Sequence, residues 1–454
     1  MRSKVRLNPL SAILLIAFAL RVATIVPALH NDRNLFGGDY AWYAREGRTL
    51  LRTGWLPGPP PTGPVFLLTA GLAEELGTLG RHDLPGYLLQ RMIGGPTLFP
   101  RPVGDGLPFV RLLHILLGTL TVWMVYRIGR AAWDERTGLL AALAVAINPL
   151  FILEAGNPAT ESLALFLLSW ALAIWLEQDH PAWPAAVKTG LLLALAALTR
   201  SALLGIPVLL VGHLLVKHGW RRAAQHSLIL LTAWLLTFSP WTLYNWVTWD
   251  RLTLSGEGFI GMLYVGAAGW KDPEVVDAEL GFTPDMADDP EARQESFLNG
   301  LKRIVLTDPA AYARKRLGEL TGALLQPHNT AIYPGPGIKQ LALDWLRSDR
   351  TPGGLLEVTR ADHFWQKLLL YLFHYPALIL GAIGLFISRR EWRRRFPLYG
   401  VFAYFLGMHT LLSAIPRYLF PLEMFWWLFA AALVVRWYDH RRIASAPQTA
   451  TIQA

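Results

Sequence analysis

Two short segments near opposite ends of this chain hold residues that could act together on an anionic substrate. Near the start is Gly37-Gly38-Asp39-Tyr40-Ala41-Trp42-Tyr43, and near the end is Pro416-Arg417-Tyr418. A carboxylate such as Asp39 can take a proton from an attacking hydroxyl. A guanidinium such as Arg417 matches phosphate oxygens with its planar fork. Between them lie Arg111 and His114, Asn157 and Glu161, Arg200, the run Ser239-Pro240-Trp241-Thr242 with Asn245, and His328. Asn157 and Glu161 are one helical turn apart and share a face. Each residue also has an ordinary explanation. Asp39 fits a helix N-cap, and that role is compatible with chemistry. Glu161 suits the positive end of a helix dipole. Arg417 could reach to lipid headgroups and Arg200 could anchor a turn. His328, in Gln326-Pro327-His328-Asn329, fits a loop. The chain has no Cys, which excludes disulfides, thiolate metal sites and a cysteine nucleophile. No His/Asp/Glu grouping has clear metal-ligand spacing. No cofactor is therefore indicated, although a divalent ion would not conflict with the chemistry. Gly335-Pro336-Gly337 reads as a turn, because no strand–helix unit frames it as a phosphate loop.

Bringing such distant residues together requires a bundle. Of the 454 residues, 53% are hydrophobic and 17% charged, against about 25% charged in soluble domains. The 19 Trp suit rings that settle at membrane interfaces. Crossing the hydrocarbon takes about 20 mostly apolar residues. Some ten stretches are candidates, near 10–28, 108–126, 138–154, 158–176, 186–199, 201–216, 226–246, 366–387, 397–415 and 418–436. The fifth and sixth are short and meet at Thr199-Arg200-Ser201. The first follows Arg2, Lys4 and Arg6; it is longer than a usual secretion-signal core and lacks a small-x-small cleavage site, so it is expected to be retained. Arg21 within it is expected to pair inside the bundle.

Lys and Arg in the short loops orient the spans. With the N-terminus inside, segments 2–6, 127–136, 177–188, 217–222, 389–395 and 436–442 carry 18 Lys and Arg against 6 Asp and Glu, a surplus of 12 where the whole chain carries +9. The basic balance therefore reports topology, with both termini cytoplasmic, and no nucleic-acid partner is expected. The basic run 388–395 is expected to stop at the inner leaflet, an anionic-lipid contact being the lesser reading.

The result is an all-α integral membrane protein with about ten spans. Residues 1–246 form an N-terminal membrane module whose first outer loop, 30–107, carries Asp39. Residues 247–365 form a long outer region, 366–438 the last spans, and 439–454 a cytoplasmic tail. In the first outer loop, 41–53 sets Arg45, Glu46 and Arg48 against Tyr43, Leu50 and Leu51 and reads as an amphipathic helix on the membrane surface. Residues 65–79 read as a second. The long outer region has helical patches at 291–306 and 310–325. This topology brings Asp39, Arg111, His114, Asn157, Glu161, Arg200, Arg417 and Tyr418 to one depth on the outer face. Ionisable groups at membrane depth face a cavity or a partner.

The order of these landmarks resembles the polytopic glycosyltransferases of the GT-C superfamily, close to bacterial protein-mannosyltransferase-like and aminoarabinose-transferase-like proteins. The loop from Gly38-Asp39-Tyr40 to Pro60-Pro61-Thr62-Gly63-Pro64 is similar to the family's acidic loop and Pro-Pro segment. Glu161-Ser162-Leu163, Leu198-Thr199-Arg200, Ser239-Pro240-Trp241-Thr242-Leu243-Tyr244-Asn245 and Pro416-Arg417-Tyr418-Leu419-Phe420-Pro421 resemble later landmarks. Two departures stand out. Tyr40 follows Asp39 where many relatives have Asp-Glu, and prolines precede Pro61 where many have Lys. The resemblance implies a multi-pass enzyme of the inner (plasma) membrane, a hexosyl- or pentosyltransferase working on its extracytoplasmic face. Its partners would be the bilayer, a polyprenyl-phosphate sugar donor and an extracytoplasmic glycan, lipid or protein acceptor. Asp39 would be the general base of an inverting displacement. Arg417, with Arg200 and Arg111, would hold donor phosphate in place of the missing Lys. Tyr40, Tyr43, Asn157, Glu161, Tyr418 and His328 would bind substrate. A polytopic transporter or lipid flippase is the competing reading; many of those show two similar halves, and the sequence shows no such duplication.

Overall fold

A computed structural model describes residues 8–29, 39–79, 104–178, 182–256, 258–269, 271–282 and 289–444. Arg2, Lys4 and Arg6, the Gly37-Gly38 pair, the rest of the first outer loop at 80–103 and the tail at 445–454 lie outside them. Among the described residues every regular element is helical. The chain opens with α1 (Pro9–Ile25), α2 (Asp39–Thr53) and α3 (Pro64–Leu79), followed by α4 (Leu107–Ala132), α5 (Glu135–Ile147), α6 (Pro149–Glu154), α7 (Thr160–Leu176), α8 (Trp183–Thr199), α9 (Ile206–His218) and α10 (Trp220–Trp249). The outer region holds α11 (Phe259–Ala268), α12 (Pro273–Leu280), α13 (Pro290–Thr307), α14 (Pro309–Leu325), α15 (Ile338–Ser348) and α16 (Pro352–Arg360). The chain closes with α17 (Phe364–Ser388), α18 (Trp392–Leu411), α19 (Pro416–Leu419) and α20 (Pro421–Ala444).

All ten apolar stretches are helical, but they are not ten uninterrupted spans. Five segments are long and apolar enough to cross a membrane, Pro9–Ala28, Leu107–Ala132, Ser201–His218, Trp220–Trp249 and Phe364–Leu411, the last joining two helices. The expected span at 138–154 breaks at Asn148. Its side-chain oxygen accepts from the Leu150 amide at 2.9 Å and so caps α6, and Pro149 cannot donate to the preceding turn. Leu228, Leu235, Leu236 and Leu243 on α10 are exposed, as lipid-facing side chains are. Arg21 is fully buried; it reaches no acid among the described residues, and its guanidinium donates to the carbonyls of Ala17 and Ala146.

One core runs through the bundle, with α4 packed on α5 and α7, α8 between α7 and α10, and α17 along α20. Three devices at one end of the bundle position the site. First, α2 and α3 form a hairpin that leans on α4 and α8. Its helices touch backbone to backbone through Gly47 and Gly71; a β-carbon on Gly47 would overlap the Leu67 carbonyl. Gly47→Ala is therefore expected to cost about 1–3 kcal/mol through overpacking and to shift Asp39, giving a lower melting temperature together with reduced activity. A variant with wild-type melting and activity would contradict the close crossing. Second, Tyr40 donates to the buried Glu74 at 2.8 Å, and Glu74 also accepts from the amides of Gly104 and Gly106. This ties α2 to the start of α4. Third, the buried Arg316 of α14 donates to the carbonyls of Thr410, His409 and Leu412. The last carbonyls of a helix have no partner within it; Arg316 satisfies those of α18 and fixes where α19, with Arg417, begins.

Candidate active site

Four charged residues from four distant parts of the chain meet at one end of the bundle. Arg417 donates from Nη1 to Asp39 Oδ2 at 2.7 Å, and from Nε and Nη2 to the Glu161 carboxylate at 2.5 and 3.3 Å. Arg200 donates from Nη1 to Glu161 Oε1 at 2.5 Å and to Thr160 Oγ1 at 3.3 Å. Local structure explains each position. Asp39 is the first residue of α2, and Glu161 lies in the first turn of α7. α8 ends at Thr199; Arg200 is extended, with φ −151° and ψ 108°, so its side chain leaves the helix and turns to α7. Pro416 opens α19 and keeps Ile415 extended, as the residue before a proline prefers. The next residue, Arg417, is thereby delivered to the cluster.

The two acids differ in surroundings. The Glu161 side chain is 1% exposed and gripped by two guanidiniums; the Asp39 side chain is 49% exposed and has one. Glu161 thus neutralises a pair of half-buried arginines, while Asp39 sits nearer the surface, where a substrate can reach it. Tyr418 lies under Arg200, whose guanidinium is 5.0 Å from the ring centroid, and stacks on His409 at 5.5 Å. Tyr43 faces the same cluster. Burial, with the Glu161 and Asp39 carboxylates, pushes its hydroxyl up to about 12, so it remains a neutral donor at physiological pH.

The other candidates lie elsewhere. Arg111 is held by backbone carbonyls. It is buried, and its guanidinium donates to the carbonyls of Ala28, Leu29 and Gly156 at 2.6, 2.6 and 3.0 Å, clamping the end of α1 to the α6–α7 connection. Tyr40 is buried on Glu74 and turned from the mouth. His328 and Asn157 belong to a second, buried cluster. His328 Nε2 meets Glu154 Oε2 at 2.7 Å, the Asn157 amide donates to Glu154 at 3.3 Å, and His114 Nδ1 meets the Asn157 carbonyl at 2.9 Å. A third pairing, His374 Nδ1 with Glu423 Oε2 at 2.9 Å, joins α17 to α20. Sequence reading passed over Glu154 and Glu423. Each is a lone acid inside an apolar stretch, and that alone marks a buried partner. Among the described residues no group of three or more His, Asp or Glu could hold a metal ion.

Comparison with known proteins agrees with this architecture. The structure of archaeal oligosaccharyltransferase AglB from Archaeoglobus fulgidus, in complex with an inhibitory peptide and a dolichol-phosphate, superposes with a TM-score of 0.52 at 15% identity, over 98% of this chain and 52% of that one. The Archaeoglobus fulgidus oligosaccharyltransferase tethered via a disulfide bond to an acceptor peptide containing the NVT sequon gives 0.53 at 14% identity, over 97% and 51%. ArnT from Cupriavidus metallidurans bound to undecaprenyl phosphate gives 0.36 at 15% identity, over 95% and 79%. This chain spans about half the length of the oligosaccharyltransferases it matches. No curated protein sequence matches it. The fold is similar to that of the archaeal oligosaccharyltransferase. Residues 98–244 match the family described as dolichyl-phosphate-mannose-protein mannosyltransferase. The matched segment includes Arg111, Asn157, Glu161 and Arg200 and excludes Asp39 and Arg417.

Proposed function

We propose that this chain transfers a sugar, hexosyl or pentosyl, from a polyprenyl-phosphate-linked donor to a hydroxyl of an extracytoplasmic acceptor. The observation that carries the reading is the contact of Asp39 with Arg417, a proton acceptor and a phosphate-binding group from opposite ends of the chain joined at one mouth. In support, the oligosaccharyltransferase with the similar fold was solved with a dolichol-phosphate. The acceptor oxygen attacks the anomeric carbon as the bond from that carbon to the phosphate oxygen breaks, so the centre inverts. The acceptor's proton passes to Asp39, and the electron pair leaves with the phosphate. Arg417 and Arg200 stabilise the charge that builds there. Arg417 is shared between Asp39 and Glu161 before donor arrives. An incoming phosphate competes with Asp39 for Arg417 Nη1 and thereby releases the carboxylate toward the acceptor. Tyr43 and Tyr418 line the same mouth for the sugar.

A transfer assay with purified protein, polyprenyl-phosphate sugars and candidate acceptors tests the reading; flux of intact donor lipid without transfer would replace it with a flippase. Arg417→Ala is expected to raise the KM for donor about 10- to 100-fold, the range of one charge-assisted contact, with a much smaller change in the KM for acceptor. Equal losses on both substrates would remove the phosphate role.

A further inference from the structure

The opposite end of the bundle holds a cavity that the proposed transfer does not use. α4 begins near Arg111 and runs for 26 residues, about 39 Å at 1.5 Å per residue. Its last turn therefore lies far from Asp39. There the α4–α5 turn, the α17–α18 turn and the final turns of α20 enclose a cavity of about 320 Å³. Its lining includes Ile387 and Leu433 together with the buried Arg395 and the exposed Arg436. Three acids also line it, and each is already engaged. Asp134 accepts from the Thr137 amide at 2.8 Å, Glu391 from Arg395 at 2.8 Å and Asp439 from Arg136 at 3.0 Å. Arg436 has no acidic partner among the described residues. The two flanking segments lean positive: 388–395 and 432–442 contain eight Arg against two acids.

The depth of this cavity is marked by aromatic rings. The Arg389 guanidinium lies 3.8 Å from the Phe386 ring centroid and that of Arg441 4.1 Å from Trp437. Trp392 and Trp437 are exposed, as belts at the headgroup level are. Ile383, Phe386 and Val434 present further exposed apolar surface on the same two helices. Apolar lining residues beside an exposed arginine that has no acidic partner among the described residues, at headgroup depth, suit an amphiphile with a negative head.

We propose that this cavity binds the phosphate-bearing headgroup of an anionic phospholipid from the adjoining leaflet, with Arg436 on the phosphate and an acyl chain along α17 and α20. The proposal needs the bundle to span a membrane, but it does not depend on glycosyl transfer. The test uses the full chain in phosphatidylcholine nanodiscs with and without phosphatidylglycerol, reading lipid retention by native mass spectrometry and the melting temperature. Phosphatidylglycerol is expected to be retained over phosphatidylcholine and to raise the melting temperature. Arg436→Ala is expected to weaken retention about fivefold, the equivalent of ~1 kcal/mol for one basic group at a membrane surface, and Arg436→Lys to keep most of it. Arg222→Ala, at the same end but on α10, is expected to change nothing. Equal retention of the two lipids, or the same loss from Arg222→Ala, would reduce the site to diffuse surface charge. Stabilisation by inorganic phosphate equal to that by phosphatidylglycerol would overturn the lipid assignment in favour of a soluble anion.

Discussion

Asp39→Asn is expected to lower kcat for sugar transfer by about 100- to 10,000-fold, the usual contribution of a positioned general base, while expression and melting temperature stay near wild type. The structure separates the two effects. The Asp39 side chain is 49% exposed and its one ion pair is to Arg417. Exposed pairs contribute about 0–1 kcal/mol, so the fold loses little. The placement of α2 rests instead on Tyr40 with Glu74 and on the Gly47–Gly71 crossing, which the substitution leaves intact. The kinetic pattern is specific as well. Asn cannot take the acceptor's proton, and it competes less for Arg417 than a carboxylate does. The KM for donor is therefore expected to stay level or fall while kcat collapses. A fully active Asp39→Asn enzyme would end the general-base assignment. A raised donor KM with kcat preserved would move Asp39 from proton transfer to donor positioning.

That Asp39, Glu161, Arg200 and Arg417 reach one face was legible because spans alternate direction, so the parity of each segment assigns its end to a side. The helices themselves were legible from unbroken apolar runs. Which way a side chain points was not. Arg111 has the same type and depth as Arg417, but three carbonyls at the end of α1 and the α6–α7 connection take up its guanidinium. Nothing in residue type tells a guanidinium that binds substrate from one that satisfies orphaned carbonyls; that depends on which helix ends the fold brings near. Tyr40 and Tyr43 lie three residues apart in α2, yet one turns to Glu74 and the other to the Glu161 side. Glu161 changed meaning most. As a single acid it reads as a dipole partner or a ligand for sugar; in the structure it is the buried counter-charge that allows two arginines to stand together.

This makes Glu161 the position where the largest loss of stability is expected. Its side chain is 1% exposed, and the Arg200 and Arg417 side chains that grip it are 14% and 17% exposed. Removing one member of a buried charge network leaves the others desolvated without compensation, at a typical cost of about 3–5 kcal/mol. Glu161→Gln would leave two guanidiniums facing each other across a neutral amide, with Asp39 as the nearest remaining carboxylate. A marked drop in melting temperature is expected, along with loss of donor turnover. Two comparisons distinguish charge from packing. Glu161→Leu combined with Arg200→Leu removes one charge of each sign and leaves Arg417 with Asp39, so the double variant should be more stable than Glu161→Gln, a coupling expected for groups in direct contact. Polyprenyl phosphate should raise the melting temperature of Glu161→Gln more than that of the wild type, because the anion takes the place of the missing carboxylate between the arginines. If Glu161→Gln instead melts with the wild type and gains nothing from the lipid phosphate, the arginines are not held by that carboxylate, and the cluster cannot be the preformed phosphate clamp from which the transfer reaction was argued.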